Sequence, residues 1–350
     1  MDAWQRFVRT VKFEPTDHVP VALLGTNRFY ASLAGMPLFK VLHDPTRMME
    51  VQRSIFRRFP DITFVPGAWP DYGAGILSAY GCHVYWSSDG MPQVRTKAIR
   101  SVDDLREFRV PDPYHDGFMP WYLETLRTFV GRREDFESNL HFLWSMGPGE
   151  LATYLWGATE FLVSLYEMPE IVDAFLERVT DSILIWLGAQ QDVNPEADGI
   201  LLTDDIAGMM SEKFYRRFLY PCHRRIREAY AEHILVFHND TQSDHLLPSL
   251  RELGIDVFNL GKTTDLVRAK ECMQDRVSLM GNVDPLELLT RGTENDVIEA
   301  SNLCLSQAAE GGGFILSAGG GMNEGTRPKN LDALLIAVRE FSAICGGPAG

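Results

Sequence analysis

The sequence predicts an α/β fold: a single (β/α)8 TIM barrel spanning residues 1–350, with an insertion or hairpin region at 74–113. Three observations carry this. Eight short apolar runs recur along the chain, amphipathic stretches separate them, and each run ends in polar residues. Runs too short for helices and rich in branched residues read as parallel strands buried on both faces. Eight of them alternating with helices over this length favour the barrel, with a doubly wound open sheet as the alternative.

The runs are 19–24, 62–65, 141–146, 200–204, 234–238, 255–259, 277–280 and 314–317. Between the third and fourth, residues 159–190 carry two helical patterns broken near Met168-Pro169. Residues 211–232 place Phe214, Phe218 and Ile226 at helical intervals, with Glu212 in a first turn where an acid suits the helix dipole. Thr293 with Glu294 and Asp296 opens another helix, and Pro328 and Asn330 precede the last, at 331–344. Residues 74–113 break the rhythm. Their Gly, Tyr, Trp and Ser-Ser-Asp-Gly content suggests a hairpin, and Pro111-Asp112-Pro113 a rigid turn, at the mouth or the bottom of the barrel.

Composition excludes several functional classes. Apolar residues make up 45% and charged residues 23%, enough to bury a full core. With 33 Lys+Arg against 48 Asp+Glu the formal charge is −15, which argues against nucleic acid or an anionic membrane as partner. No apolar run reaches the roughly 18 residues of a membrane span. The five cysteines, at 82, 222, 272, 304 and 345, form no CxxC pair, and the polar N-terminus has no signal-peptide core. A cytoplasmic location is the expectation.

In such a barrel the active site lies at the C-terminal ends of the strands, so the residues that end each run are informative. These are Thr26, Asn27 and Arg28; Trp69, Asp71 and Tyr72; Glu150; Asp204 and Asp205; His238, Asn239 and Asp240; Asn259; Asn282 and Asp284; and, after Gly319–Gly321, Asn323 and Glu324. The ring is acidic, with one histidine. Alternate strand residues share a face, so His238 and Asp240 converge if the strand reaches 240. With Asp204 or Asp205 they can hold a divalent metal; a metal-free His–Asp hydrogen-bonded pair is the competing reading. Only one of Asp204 and Asp205 is expected to point inward, the other binding loop amides. Asn27 and Arg28 are candidates for a substrate anion. Trp69 and Tyr72, with Trp144 and Trp156, are candidates for an aromatic-accepting pocket, although each alone also suits a core. Asn282 and Asn323 complete the candidate substrate contacts. His83, His115, His223, His233 and His245 carry no assigned role. The glycines at 319–321 lack a phosphate-loop spacing and read as a close backbone approach to a ligand.

At these residues a family resemblance becomes specific. Asp204-Asp205-Ile206, Ser211 through Phe218, Pro221, Phe237-His238, Leu253 through Asn259, Gly281-Asn282-Val283-Asp284-Pro285 and Gly312 through Ser317 resemble, in order and spacing, the uroporphyrinogen decarboxylase superfamily over roughly residues 140–345. Asp17-His18-Val19-Pro20-Val21 fits more loosely. The resemblance implies a (β/α)8 barrel and one of two chemistries. True uroporphyrinogen decarboxylases carry Arg-Gln-Ala-Gly-Arg-Tyr after strand one to hold propionates; here the stretch is Gly25-Thr26-Asn27-Arg28-Phe29-Tyr30, and the acidic ring disfavours a tetra-acid. The other branch resembles zinc methyltransferases that work with a corrinoid protein. Its thiol-accepting members use His-x-Cys on strand five and a Cys after strand eight. Here His238 matches the histidine, Asp240 stands at the first cysteine, and glycine around 319–321 stands at the second.

Oxygen and nitrogen donors make zinc a harder Lewis acid, suited to polarising an ether oxygen rather than binding a thiolate. The resemblance then implies an O-demethylating methyltransferase. It would have zinc on His238, Asp240 and a third ligand from Glu324 or the 204–205 pair, and Asp204, Asp205, His238 and Asp240 as its catalytic set. A corrinoid on a separate partner protein would be the methyl acceptor, because the chain has no D-x-H-x-x-G cobalamin motif. The donor would be a small methylated molecule such as a methoxylated aromatic, and a homodimer is the one assembly considered. A metal-free, non-porphyrin decarboxylase or lyase is the alternative activity, and a non-catalytic binding barrel the third reading.

Overall fold

The computed structural model describes residues 1–344 except 88–89 and 137–138. Ten strands follow in chain order: β1 Val21–Leu24, β2 Ile62–Val65, β3 His83–Tyr85, β4 Gln93–Thr96, β5 Phe142–Met146, β6 Gly199–Thr203, β7 Ile234–Asn239, β8 Val257–Leu260, β9 Ser278–Val283 and β10 Phe314–Ala318. Eight of them form one parallel sheet in the order β2-β1-β10-β9-β8-β7-β6-β5. Almost every residue of these eight strands is buried, because helices cover the outside and side chains fill the inside. The sheet curls into a nearly closed (β/α)8 barrel. Between β2 and β5 the contact is a loop bond, Ala68 N donating to Asn139 O at 2.6 Å.

Helices fill the crossovers as the sequence pattern predicts. The pair broken at Met168-Pro169 is Ala158–Glu167 and Pro169–Val193, and proline at the first position of the second explains the break. Ser211 accepts from Phe214 N, and Thr293 closes a capping box with Asp296. Two details differ from expectation. The 211–232 helix passes through a five-residue π turn, Tyr215–Leu219, before it continues to Ala229. The last helix begins at Pro328 rather than 331, since proline fits the first turn, where the missing N–H has no partner to lose.

The 74–113 region is a 3-10 turn, Gly73–Tyr80, followed by the antiparallel β3–β4 hairpin and a short helix, Val102–Arg106. Ser88, Asp89 and Cys345 lie outside the described residues. The hairpin stands at the mouth. Met91 to Arg95, and Lys97, share a cleft of about 630 Å³ with Thr26 and Arg28 after β1, and with Thr153 and Tyr154 of the helix that follows β5. Among the described residues no helix is long and apolar enough to cross a membrane.

Candidate active site at the barrel mouth

Strand register sets the site. Thr203 of β6 lies beside His238 of β7, His238 beside Asn259 of β8, and Asn259 beside Met280 of β9. This single level lets the Asn259 amide bridge two strands. Its Nδ2 donates to Met280 O at 2.9 Å, which turns Oδ1 toward Nδ1 of His238 at 2.7 Å. A carbonyl oxygen only accepts, so Nδ1 carries a hydrogen and the lone pair of the neutral ring sits on Nε2. That atom faces the mouth, 3.8 Å from Asp205 Oδ1.

Asp205, His238 and Asp240 bring one donor atom each to within 4.8 Å of one another. β7 ends at Asn239, so Asp240 reaches the group from the first loop residue rather than from the strand. Its backbone N–H donates to Asp205 Oδ1 at 2.9 Å, which fixes the loop over the strand end. Burial raises the Asp205 carboxyl; the His238 ring opposes this and the Asp240 charge adds to it. Two carboxylates crowded around an imidazole with an outward lone pair suit a divalent cation, and oxygen and nitrogen donors with no sulfur suit a hard one. The residues therefore fit zinc or a similar ion. Gly320, with φ +118°, faces the same group: a Cβ there would lie 3.0 Å from Asp240 Oδ2. Glycine keeps that approach clear.

Asp204 does different work. It is 0% exposed, and its carboxylate accepts from Gly149 N (2.9 Å), Glu150 N (2.9 Å) and His223 Nε2 (2.9 Å). It caps the first turn of helix Pro148–Trp156 from another strand end, satisfying two amides that the helix leaves open. A side chain at 149 would sit 2.7 Å from Asp204 Oδ1, so glycine there permits the approach. His223 in turn has its Nδ1 3.3 Å from the Tyr215 hydroxyl. The buried Tyr215 phenol stays protonated, so it can donate to Nδ1 while Nε2–H donates to Asp204, and a neutral ring satisfies both bonds.

Glu150, on the helix that Asp204 caps, accepts from Thr203 Oγ1 at 2.6 Å. Burial lifts its carboxyl to about 8, against the Thr203 hydrogen bond and with help from the Asp205, Asp204 and Asp240 charges. At neutral pH it is a protonated acid at the edge of the trio. One turn on, Tyr154 is 39% exposed and lines the hairpin cleft; desolvation, then the Glu150 and Asp205 charges, raise its phenol.

Several residues expected at the site do other things. Asp204 stands outside the donor group, buried and accepting from three internal donors. Glu324 is not in the donor group; its side chain is 66% exposed and pairs with Arg28 at 3.7 Å. Asn27 is fully buried. Its N–H donates to Asp71 Oδ2, its Nδ2 to Asp71 O, and its Oδ1 accepts from Gln52, which staples the loops after β1 and β2. Trp69 is buried with Nε1 donating to Gly25 O, and Tyr72 is buried with its hydroxyl between Thr125 and Trp121. Asn282 donates to Gly261 O and Thr264 O and shapes a loop. Asn323 is half-buried after β10, and Arg28 lines the cleft. Glu150, Asn259 and Tyr154 gain parts that the strand-end reading left unassigned, and His223 a structural one.

A barrel whose mouth gathers an imidazole and two carboxylates is the frame on which comparison with known proteins becomes informative. The family model for uroporphyrinogen decarboxylase (URO-D) matches residues 3–341, and the chain belongs to that family. Among relatives, the uroporphyrinogen decarboxylase of Saccharophagus degradans is 25% identical, covering 97% of this chain and 97% of that one. That of Methylococcus capsulatus is 26% identical over 81% of this chain and 78% of its own. Among solved structures, a methyltransferase from Methanosarcina mazei superposes with a TM-score of 0.82 at 21% identity, covering 97% of this chain and 99% of that one, and so shares the fold.

Proposed function

We propose that this chain is a methyltransferase. In this reading it takes a methyl group from a small methylated donor, such as a methoxylated aromatic, and passes it to the reduced corrinoid of a partner protein. The carrying observation is the group of Asp205, His238 and Asp240, with His238 Nε2 turned outward by Asn259. A zinc ion held there would supply Lewis acidity toward the donor's ether oxygen.

The chain's own residues do the rest. Asn259 holds the imidazole in one tautomer. Asp240 N–H holds Asp205 Oδ1 in place. Glu150 accepts from Thr203 on Oε2, which leaves Oε1 free to carry its proton. When the C–O bond breaks, the electron pair stays on oxygen, the Glu150 proton joins it, and the methyl group goes to the two-electron nucleophile of the acceptor. The burial that raises Glu150 keeps that proton available at neutral pH.

The relatives' named substrate fits this mouth poorly. Uroporphyrinogen carries eight carboxylates, whereas the cleft offers three cations, Arg28, Arg95 and Lys97, and Asp205 and Asp240 share the mouth with them; unpaired buried carboxylates cost several kcal/mol. The test combines metal analysis with transfer. Protein purified without chelator should hold about one zinc per chain and methylate a reduced corrinoid protein in the presence of a methoxylated aromatic. His238→Ala should lose metal and transfer together while keeping its circular dichroism. Metal-free protein that neither binds added zinc nor transfers methyl from any donor class overturns the reading.

Asp71 favours a second reading. This buried carboxyl beside the cleft is raised to about 6 by burial and has Arg28 as a neighbouring lining residue. An acid and a cation in one cleft suit a metal-free decarboxylation, with Arg28 holding a carboxylate and Asp71 supplying the proton. Carbon dioxide release without corrinoid or metal would select it.

A further inference from the structure

The mouth is electrically divided. One side is the acidic group of Asp205, Asp240 and Glu150. The other is the hairpin cleft, where three cations, Arg28, Arg95 and Lys97, line one space of about 630 Å³. In a chain of formal charge −15 this clustering is a local reversal. The cleft's one lining acid, Asp71, has both carboxylate oxygens turned onto backbone amides, those of Asn27 and Gly73. Arg28 and Lys97 are paired at the rim, with Glu324 at 3.7 Å and Glu160 at 3.4 Å, and all four side chains are at least 45% exposed. Exposed pairs of this kind contribute little, so a better-placed anion can displace them. Among the described residues Arg95 has no carboxylate within 4 Å. Met91, Pro92 and Val94 give the cleft an apolar wall, and its volume suits one small ligand.

Tyr154 joins the two sides. It lines the cleft and stands on helix Pro148–Trp156 one turn after Glu150. A molecule lying along Tyr154 would therefore have one end among cations and the other near the donor group.

We propose that the hairpin cations Arg95 and Lys97, together with Arg28, form an anion subsite that selects methyl donors carrying a carboxylate at the end remote from the methyl group. This deepens the methyltransferase reading and rests on it for the position of the methyl group. The subsite itself is a binding property that neither metal nor corrinoid is needed to measure. Arginine and lysine around a carboxylate give charge-assisted hydrogen bonds, and the matching amide loses them while keeping its shape.

The experiment uses 4-methoxybenzoate and 4-methoxybenzamide as a matched pair, titrated by calorimetry into the full chain in the presence of EDTA. The benzoate should bind about tenfold more tightly or better, and the margin should shrink as salt rises. In R95Q/K97Q the preference should fall to about twofold or less with the benzamide affinity unchanged, and R95E should weaken the benzoate further. All three positions are exposed, and circular dichroism checks that the variants fold. Equal affinity for the two probes overturns the subsite, as does a preference that survives in R28Q/R95Q/K97Q, or a failure of both probes to bind at millimolar concentration. The two proposals fail separately. Methyl transfer from neutral ethers without a carboxylate preference sinks the subsite alone. A carboxylate preference without transfer from any donor sinks the methyltransferase reading alone.

Discussion

Replacing Asp204 should damage the fold rather than the chemistry of the neighbouring trio. Its carboxylate receives three buried donors: two amides of helix Pro148–Trp156 and the His223 imidazole. In D204A all three lose their acceptor at a buried site. Each orphaned donor costs about 1–3 kcal/mol, so the sum is about 3–9 kcal/mol, with no allowance for the small cavity. D204N is the sharper probe. Oδ2 takes two of the three bonds and Oδ1 the third, so an amide keeps at most one oxygen acceptor and turns an NH₂ toward an N–H. About 1–3 kcal/mol is expected. Against a typical stability of about 5–15 kcal/mol, D204A should be marginal and D204N measurable. Urea unfolding followed by circular dichroism reads the difference. Zinc binding to folded D204N should match the wild type, because the donor group lies on Asp205, His238 and Asp240. Wild-type stability combined with lost zinc affinity would refute the reasoning and return Asp204 to the metal.

Asn259→Leu frees the His238 ring from its orienting oxygen, so zinc affinity should fall about 10–100-fold in competition with a chromophoric chelator; unchanged affinity would mean the tautomer lock is irrelevant. Glu150→Gln tests the raised carboxyl in chelator-treated protein. The native group holds its proton to about 8, and the unfolded one releases it near 4.5. Between those values the native state binds the extra proton, so wild-type stability should decline relative to the variant as pH rises through 4.5 to 8, and a flat difference would contradict the assignment. Uroporphyrinogen should be neither bound tightly nor decarboxylated, and measured turnover would show that the three cations of the cleft suffice for its carboxylates.

The barrel is legible in the sequence because its signal is local and redundant. Parallel strands covered on both faces must be apolar throughout, so runs such as 200–204 and 314–317 announce β6 and β10 without knowledge of their neighbours. Helix ends are legible for the same reason, since Thr293 and Ser211 satisfy amides three residues away. The closeness of His238 and Asp240 is also local: two residues on one side of a strand end.

What the strand ends do not reveal is which polar groups look outward and which are consumed inside. Position in sequence places Asn27, Asp204 and Asn282 at the mouth, but each has all or most of its hydrogen-bonding capacity met by groups 18 to 55 residues away. Buried polar atoms must be paired, and the partners come from other loops, so pairing is a tertiary fact with no local pattern. Trp69 and Tyr72 follow the same rule, since their indole N–H and phenol find hydrogen-bond partners in the core. The converse identifies the site. His238 Nε2, the Asp205 and Asp240 carboxylates and the Glu150 proton sit at the mouth with capacity left over after their internal bonds are counted. Asp204 and Asp205 are adjacent and chemically identical, yet one is spent on helix amides and a histidine while the other keeps an oxygen facing His238. The difference arises because consecutive residues at a strand end leave the barrel in different directions, one toward the neighbouring helix and one toward the axis. An active site in this fold is thus the remainder of the mouth's polar groups once the scaffold has satisfied its own, and here that remainder is an imidazole, two carboxylates and one held proton.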